Sequence, residues 1–312
     1  MNQPSNGAHS DSGSHSTPTA IKRQSTAFRD SSNPSNPNDS QSIARDYYNS
    51  SDADHFYFEI WGGEDIHIGV YQSSDESIAQ ASQRTVTMMA DLVTGSDQTS
   101  RILDIGAGYG GAARYLAQRF QCHVTALNLS EVENERNRER NAALNLQDQI
   151  QVIDGSFESL PLADQQFDLV WSQDAILHSD KRNQVLAEVS RVLKPNGQFL
   201  FTDPMKTQAC PGDVLQPILD RIHLSDLGSP GFYIEALNHA GFNHVAFSSM
   251  PHQMANHYQR VLEETLNHES RLLNQVSLEY LDRMKQGLNH WIKGAQQGHL
   301  TWGIWNCQRQ QD

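Results

Sequence analysis

The stretch Arg101 to Gly111, RILDIGAGYGG, sets a carboxylate, Asp104, two residues ahead of a loop with glycines at 106, 108, 110 and 111. Apolar residues before the loop and a helical sequence after it, Ala112 to Arg119, describe a strand that turns through glycine into a helix. Such a loop lets a ligand approach the backbone without meeting Cβ atoms. The helix start then offers free N–H groups and a positive dipole end, suited to a carboxylate or a phosphate. Gly106, Gly108 and Gly111 also spell the G-x-G-x-x-G of dinucleotide sites, so the loop alone leaves its ligand open.

Further reactive side chains fall where other strands would end. A second apolar run closes on Asn128-Leu129-Ser130, followed by Glu131 and Glu133, where a dinucleotide site would carry an acidic residue at the strand tip itself. Gly155-Ser156-Phe157 precedes Leu160-Pro161, and Phe167-Asp168 opens a run that ends in Trp171-Ser172-Gln173-Asp174 and reaches His178. Ligands of open α/β sheets lie beyond the carboxyl ends of the strands, which turns Gln173 and His178 toward a ligand. His178 reads either as a general base, since imidazole changes charge near neutral pH, or as a hydrogen-bonding histidine. Thr202-Asp203-Pro204-Met205 ends a fifth run at the same edge, and no pair of the 14 histidines has metal spacing.

The elements that must hold these residues alternate. Strands are predicted near 101–105, 122–127, 149–153, 167–172 and 198–203, with helices near 111–120, 130–144 and 180–193. That alternation implies a parallel sheet with helices on both faces. Residues 1–42 are rich in Ser, Asn, Gln and Pro and read as a disordered tail. Residues 43–95 read as a helical, aromatic cover interrupted at Gly62-Gly63, with 65–71 as a loop over something. Residues 100–203 form the nucleotide core and 204–312 an elaboration: helices near 214–227 and 233–240, a strand near 244–249, two helices within 256–293 and a last strand at 300–307.

Composition narrows the function. The chain has 312 residues and a formal net charge of -14, which argues against nucleic acid or an anionic membrane as the main partner. Surface carboxylates in excess also suit a host under osmotic stress. No apolar run is long enough for a membrane span and no signal-peptide core is present. Cys122, Cys210 and Cys307 are odd in number and far apart, so a reducing, cytoplasmic setting is expected.

Asp104 before the first glycine, together with Leu160-Pro161 and Phe167-Asp168 at their spacing, resembles class I S-adenosylmethionine-dependent methyltransferases. The later segments DAILHS, TDPM, CPGDVLQPILDRIHLSDLGSPGFY, NHYQRVLEE, LDRMKQGLNHWI and HLTWGIWN resemble the sarcosine/dimethylglycine N-methyltransferases that make glycine betaine, from about residue 43 onward. The resemblance implies an α/β, Rossmann-like fold with a mostly parallel seven-stranded sheet, a helical N-terminal cover and a helical insertion before the last strand. It implies S-adenosylmethionine as co-substrate, a small amine as acceptor and no metal. Asp104 would accept from the ammonium of the methyl donor, with Gly106 and Gly108 passing its methionyl and ribose part. Asn128, Leu129 and Glu133 would serve the ribose, Ser156 and Phe157 the adenine. Gln173 and Tyr48, which matches an N-terminal tyrosine of related enzymes, complete that set.

Dimethylglycine makes its own demands: a cation for its carboxylate, best a bidentate arginine, and aromatic faces for the quaternary ammonium that forms. Arg221 is the candidate cation, with Lys206 and Arg283 behind it; Tyr48, Trp61, Tyr71, Trp171 and Tyr233 are candidate rings, with Met205 beside them. Other acceptors (another amine, a phenol or a lipid carbon), a dinucleotide-dependent oxidoreductase and a binding module without catalysis are the competing readings. The sequence is silent on oligomeric state and on the number of methyl groups added.

Overall fold

The computed structural model describes residues 40–73 and 75–311. The expected tail lies outside them up to residue 39, and helix α1 (Ser40–Tyr48) already begins within the segment assigned to it.

Seven strands form one sheet: β1 (Arg101–Ile105), β2 (His123–Asn128), β3 (Ile150–Asp154), β4 (Phe167–Gln173), β5 (Leu193–Thr202), β6 (Phe242–Ser249) and β7 (Gly303–Arg309). Their order is β3-β2-β1-β4-β5-β7-β6, with β1 to β5 mutually parallel and β7 antiparallel to both neighbours. The expected Rossmann-like sheet is therefore present. Chain order reverses between β1 and β4, where Asp104 pairs in register with Trp171. That switch point opens a crevice at the strands' carboxyl ends.

Helices α4 (Gly111–Phe120), α5 (Glu131–Ala143) and α6 (Arg182–Val192) connect the parallel strands. Strand β5 starts five residues before the expected 198. Leu193 already pairs with Phe167, and Lys194 to Gly197 bulge before pairing resumes at Gln198 with Leu169. Asn196 takes a positive φ of 63° there, so Pro195 sits in a bulge rather than after a helix end.

Two groups of helices cover the carboxyl edge. The first is α1, α2 (Ser51–Trp61), whose Ser50 caps the Ala53 N–H at 3.3 Å, and α3 (Ile78–Ala90), which opens on a Ser77/Gln80 capping box. The second begins with α7 (Gly212–Ile222). After α8 (Pro230–His239), which packs on the sheet face beside α6, it continues with α9 (Pro251–Asn267), α10 (Glu269–Leu272) and α11 (Leu278–Gln296). Helix α7 ends at Ile222, short of the expected 227, because His223 turns left-handed at φ 55°. The groups share an apolar core, in which Phe56 and Ile60 of α2 pack with Val261 of α9 and Leu281, Met284 and Leu288 of α11. A two-residue ribbon, Met205–Lys206 with Leu300–Thr301, ties them to the sheet.

Candidate active site

A cleft of about 920 Å3, counting its open mouth, lies beyond the carboxyl ends of β1, β2 and β4. Gly106, at φ 73°, leaves β1 so close to Ala175 that a Cβ would collide with it, and its N–H donates to Leu127 O at 2.8 Å. This close approach keeps the loop flat under the cleft. Asp104 of β1 is 2% exposed, and among the described residues its Oδ2 has no hydrogen-bond partner. Burial, with Asp65 nearby, pushes its carboxyl up to about 7. On the β2 side Asn128 donates to Glu133 Oε2 at 2.7 Å, and burial raises the Glu133 carboxyl to about 7 as well. Gln173 is oriented from behind: its Oε1 accepts from the Trp171 indole at 2.9 Å, which leaves Nε2 as an unpartnered donor. Ser156 and Phe157 close the far wall, Leu129 follows Asn128, and Tyr48 of α1 forms part of the roof.

A second cleft of about 600 Å3 adjoins the first and shares Tyr48, Ile66, His67, Asp174 and His178 with it. Its walls are aromatic: Tyr57 and Trp61 from α2, Tyr258 from α9 and Trp291 from α11. One cation, Arg221 of α7, faces in. Its Nη2 donates to Met284 Sδ at 2.8 Å, and among the described residues it joins no ion pair. Burial works against the Arg221 charge, yet the surrounding Tyr47, Tyr57, Tyr280 and Tyr258 hold its pKa above the ordinary value.

At the junction the Tyr48 hydroxyl lies 3.0 Å from His178 Nε2. Burial, then the charges of Arg182 and Arg221, push the His178 imidazole down to about 4, so it is neutral at pH 7. Asp174 is held differently. Its carboxylate accepts from the Ile68 N–H, the Thr202 hydroxyl and the Trp302 indole, each at 2.7 Å. It fastens the loop after α2 to the sheet edge and has little capacity left for other chemistry.

Residues 103–201 match the methyltransferase domain family. The sarcosine/dimethylglycine N-methyltransferase of Halorhodospira halochloris is 53% identical over 268 residues, 85% of this chain and 96% of its own length. That of Aphanothece halophytica is 51% identical over 261 residues, 84% of this chain and 94% of its own. The crystal structure of a protein from Galdieria sulphuraria, provisionally named a sarcosine dimethylglycine methyltransferase, is 41% identical with a TM-score of 0.81, over 85% of this chain and all of that one.

The chain belongs to the sarcosine/dimethylglycine N-methyltransferase family. It is an S-adenosylmethionine-dependent N-methyltransferase with a class I, Rossmann-like fold.

In this methyltransferase all ten residues expected at the co-substrate, from Tyr48 to Gln173, line the first cleft, together with His178. Of the residues expected at the acceptor, Trp61 and Arg221 line the second. Tyr48 reaches both clefts, and the other residues expected at the acceptor do not line the second. Trp171, Met205 and Tyr233 are completely buried in the sheet's cores. Trp171 and Gln173, two apart on β4, share one face of the sheet, with Trp171 buried deeper and its indole donating to Gln173 Oε1. The Tyr233 hydroxyl donates to Asp203 at 2.6 Å behind the site, and Met205 packs with Phe201 and Trp305 in the same core. Lys206 is held by Asp226 at 2.6 Å, and Arg283 is an exposed partner of Glu279, so neither stands behind Arg221 as a free cation. Tyr71 lies one layer back, bonded to His257 at 3.0 Å.

Sequence reading missed His257, Tyr57, Tyr258 and Trp291. They come from helices whose packing over the sheet edge leaves no local signature, although His257 and Tyr258 fall within NHYQRVLEE. Among the described residues no group of His, Cys, Asp and Glu is arranged to hold a metal ion, and no helix is long and apolar enough to cross a membrane.

Proposed function

We propose that this methyltransferase converts sarcosine, N,N-dimethylglycine or both to glycine betaine in the cytoplasm. The observation that carries the reading is the second cleft: an arginine that joins no ion pair among the described residues, set among aromatic rings and adjoining the cleft with the Asp104 carboxylate. A guanidinium suits the acceptor's carboxylate, and the rings suit a quaternary ammonium. An apolar tunnel for a lipid would carry no such cation.

S-adenosylmethionine, when bound, supplies a methyl group already activated on a sulfonium. The unpartnered Asp104 Oδ2 and Gln173 Nε2 fit the ammonium and carboxylate of an amino-acid end, and Glu133 with Asn128 fits ribose hydroxyls. Ser156 and Phe157 would face adenine. The protein then holds acceptor and donor in line and keeps water out, with Arg221 fixing the acceptor's far end. His178 positions rather than deprotonates. With its imidazole pushed down to about 4 it is too weak a base to hold an ammonium proton. The acceptor loses that proton to solvent on entering the cleft, and Tyr48 and His178 brace each other at the junction.

Labelled methyl transfer to glycine, sarcosine and dimethylglycine in parallel tests the reading. Turnover with dimethylglycine, alone or with sarcosine, is expected and counts the steps. No turnover with any of them, with co-substrate binding intact, would overturn it.

A further inference from the structure

His257 of α9 is 1% exposed and lines the second cleft, with ring centroids of Trp61 at 5.4 Å and Tyr258 at 5.6 Å. Its Nδ1 receives the Gly69 N–H at 3.1 Å and stands 3.0 Å from the Tyr71 hydroxyl. A backbone N–H can only donate, so Nδ1 is the acceptor and the ring hydrogen of the neutral imidazole sits on Nε2. The lock is firm, because Gly69 lies flush on α3: a Cβ there would come within 2.8 Å of the Ala81 and Ser82 backbone. Tyr71 is anchored from both sides by Gln253, which accepts its N–H at 2.8 Å and donates to its carbonyl at 3.1 Å. Burial, then His67, pushes the imidazole down to about 3, so it stays neutral at any working pH. Among the described residues Nε2–H has no hydrogen-bond partner, and the ring lines the open space of the second cleft. The donor therefore looks into the cleft.

We propose that His257 is a substrate-contacting residue whose Nε2–H donates to the acceptor's carboxylate and, with Arg221, sets which end of the acceptor faces the methyl donor. This rests on the reading that the acceptor is a small amino acid. A tertiary amine has one lone pair, which must point at the incoming methyl, and a quaternary product has none. The carboxylate is the group left to accept from a donor in this cleft. An uncharged donor also adds no repulsion to the cation formed by transfer, which a second arginine or lysine would do.

Two variants separate this from a purely structural role. In His257→Asn the amide oxygen can keep the Gly69 and Tyr71 bonds while the reach of Nε2 is lost; in His257→Gln the amide nitrogen can restore a donor near Nε2. Each is compared with wild type for kcat and KM toward dimethylglycine and toward N,N-dimethylethanolamine, its counterpart without the carboxylate, together with S-adenosylhomocysteine affinity and Tm. The expected result for His257→Asn is a KM for dimethylglycine raised about tenfold or more, unchanged kinetics with the alcohol and unchanged S-adenosylhomocysteine affinity. His257→Gln should recover part of the loss. A dimethylglycine KM within twofold of wild type in His257→Asn, or equal losses toward both acceptors in both variants, would overturn the proposal while leaving the reaction standing. Wild-type enzyme inactive on sarcosine and dimethylglycine would remove the reading beneath it. Should His257→Asn fail to fold, His257→Gln decides alone, by whether it keeps the preference for dimethylglycine over the alcohol.

Discussion

Tyr48 and His178 meet at 3.0 Å where the two clefts join, their rings perpendicular and 5.5 Å apart. One residue belongs to α1 of the cover and the other to the short turn after β4. The contact therefore ties the cover to the strand ends, beside the Asp174 bonds.

If that contact braces the junction, His178→Ala lowers kcat about tenfold without abolishing turnover, and Tyr48→Phe does the same to a lesser degree. Steady-state kinetics with dimethylglycine checks this. Complete loss of turnover in His178→Ala with unchanged S-adenosylhomocysteine affinity would instead make the imidazole indispensable to the reaction.

Asp104 carries a carboxylate that is costly to bury and of use only when a cation meets it. Asp104→Asn is expected to weaken S-adenosylhomocysteine about tenfold to a hundredfold. The same change should raise the Tm of the unliganded enzyme at pH 8 by about 3–8 °C. The sign follows from linkage. A carboxyl whose folded pKa is raised costs stability as pH climbs from its unfolded pKa, near 4, to its folded pKa of about 7, so the cost is complete at pH 8 and only partial at pH 5, where the gain in Tm should be smaller. Calorimetry and thermal melts at both pH values test the pair.

The pH dependence of co-substrate binding follows from the same group. With the Asp104 carboxyl at about 7 in the free enzyme, an ammonium beside it favours ionisation, so binding releases protons. Affinity for S-adenosylhomocysteine should fall as pH drops below about 7 and level off above it, with Glu133 steepening the fall if it too must ionise. Titration calorimetry in buffers of different ionisation enthalpy reads both quantities. Flat affinity from pH 6 to 8.5 would rule out the assignment.

The floor of the first cleft was legible in the sequence because its residues sit on strand ends or the loops and helix starts beside them, whereas the roof comes from the cover, in which only Tyr48 was legible. Strand order then follows from alternation and the glycine loop, which is why Asp104, Gly106, Glu133, Phe157 and Gln173 converge as expected. The second cleft was only half legible. Arg221 and Trp61 stood out as a cation and a ring inside apolar helices, but Trp171 and Tyr233 carry the same chemistry and are core. Side-chain type cannot separate a wall from a core when the face a helix or strand presents depends on distant packing. His257 was missed for that reason, since its partners Gly69 and Tyr71 lie 188 and 186 residues away in the chain.

Trp171 sits in the core behind Gln173. Trp171→Ala should destabilise the fold by about 3–5 kcal/mol through a core cavity, and it should weaken co-substrate binding by releasing Gln173. It should not change the ratio of kcat/KM values between sarcosine and dimethylglycine. Denaturant melts and paired kinetics distinguish a core residue from a substrate wall.

The most direct test is Arg221→Met, assayed with dimethylglycine and with N,N-dimethylethanolamine while S-adenosylhomocysteine affinity is followed alongside. If Arg221 holds the acceptor's carboxylate, kcat/KM for dimethylglycine falls about a hundredfold or more, activity toward the alcohol stays level and S-adenosylhomocysteine binds as before. An Arg221→Met enzyme that keeps its KM for dimethylglycine would contradict the assignment of the second cleft as the acceptor site.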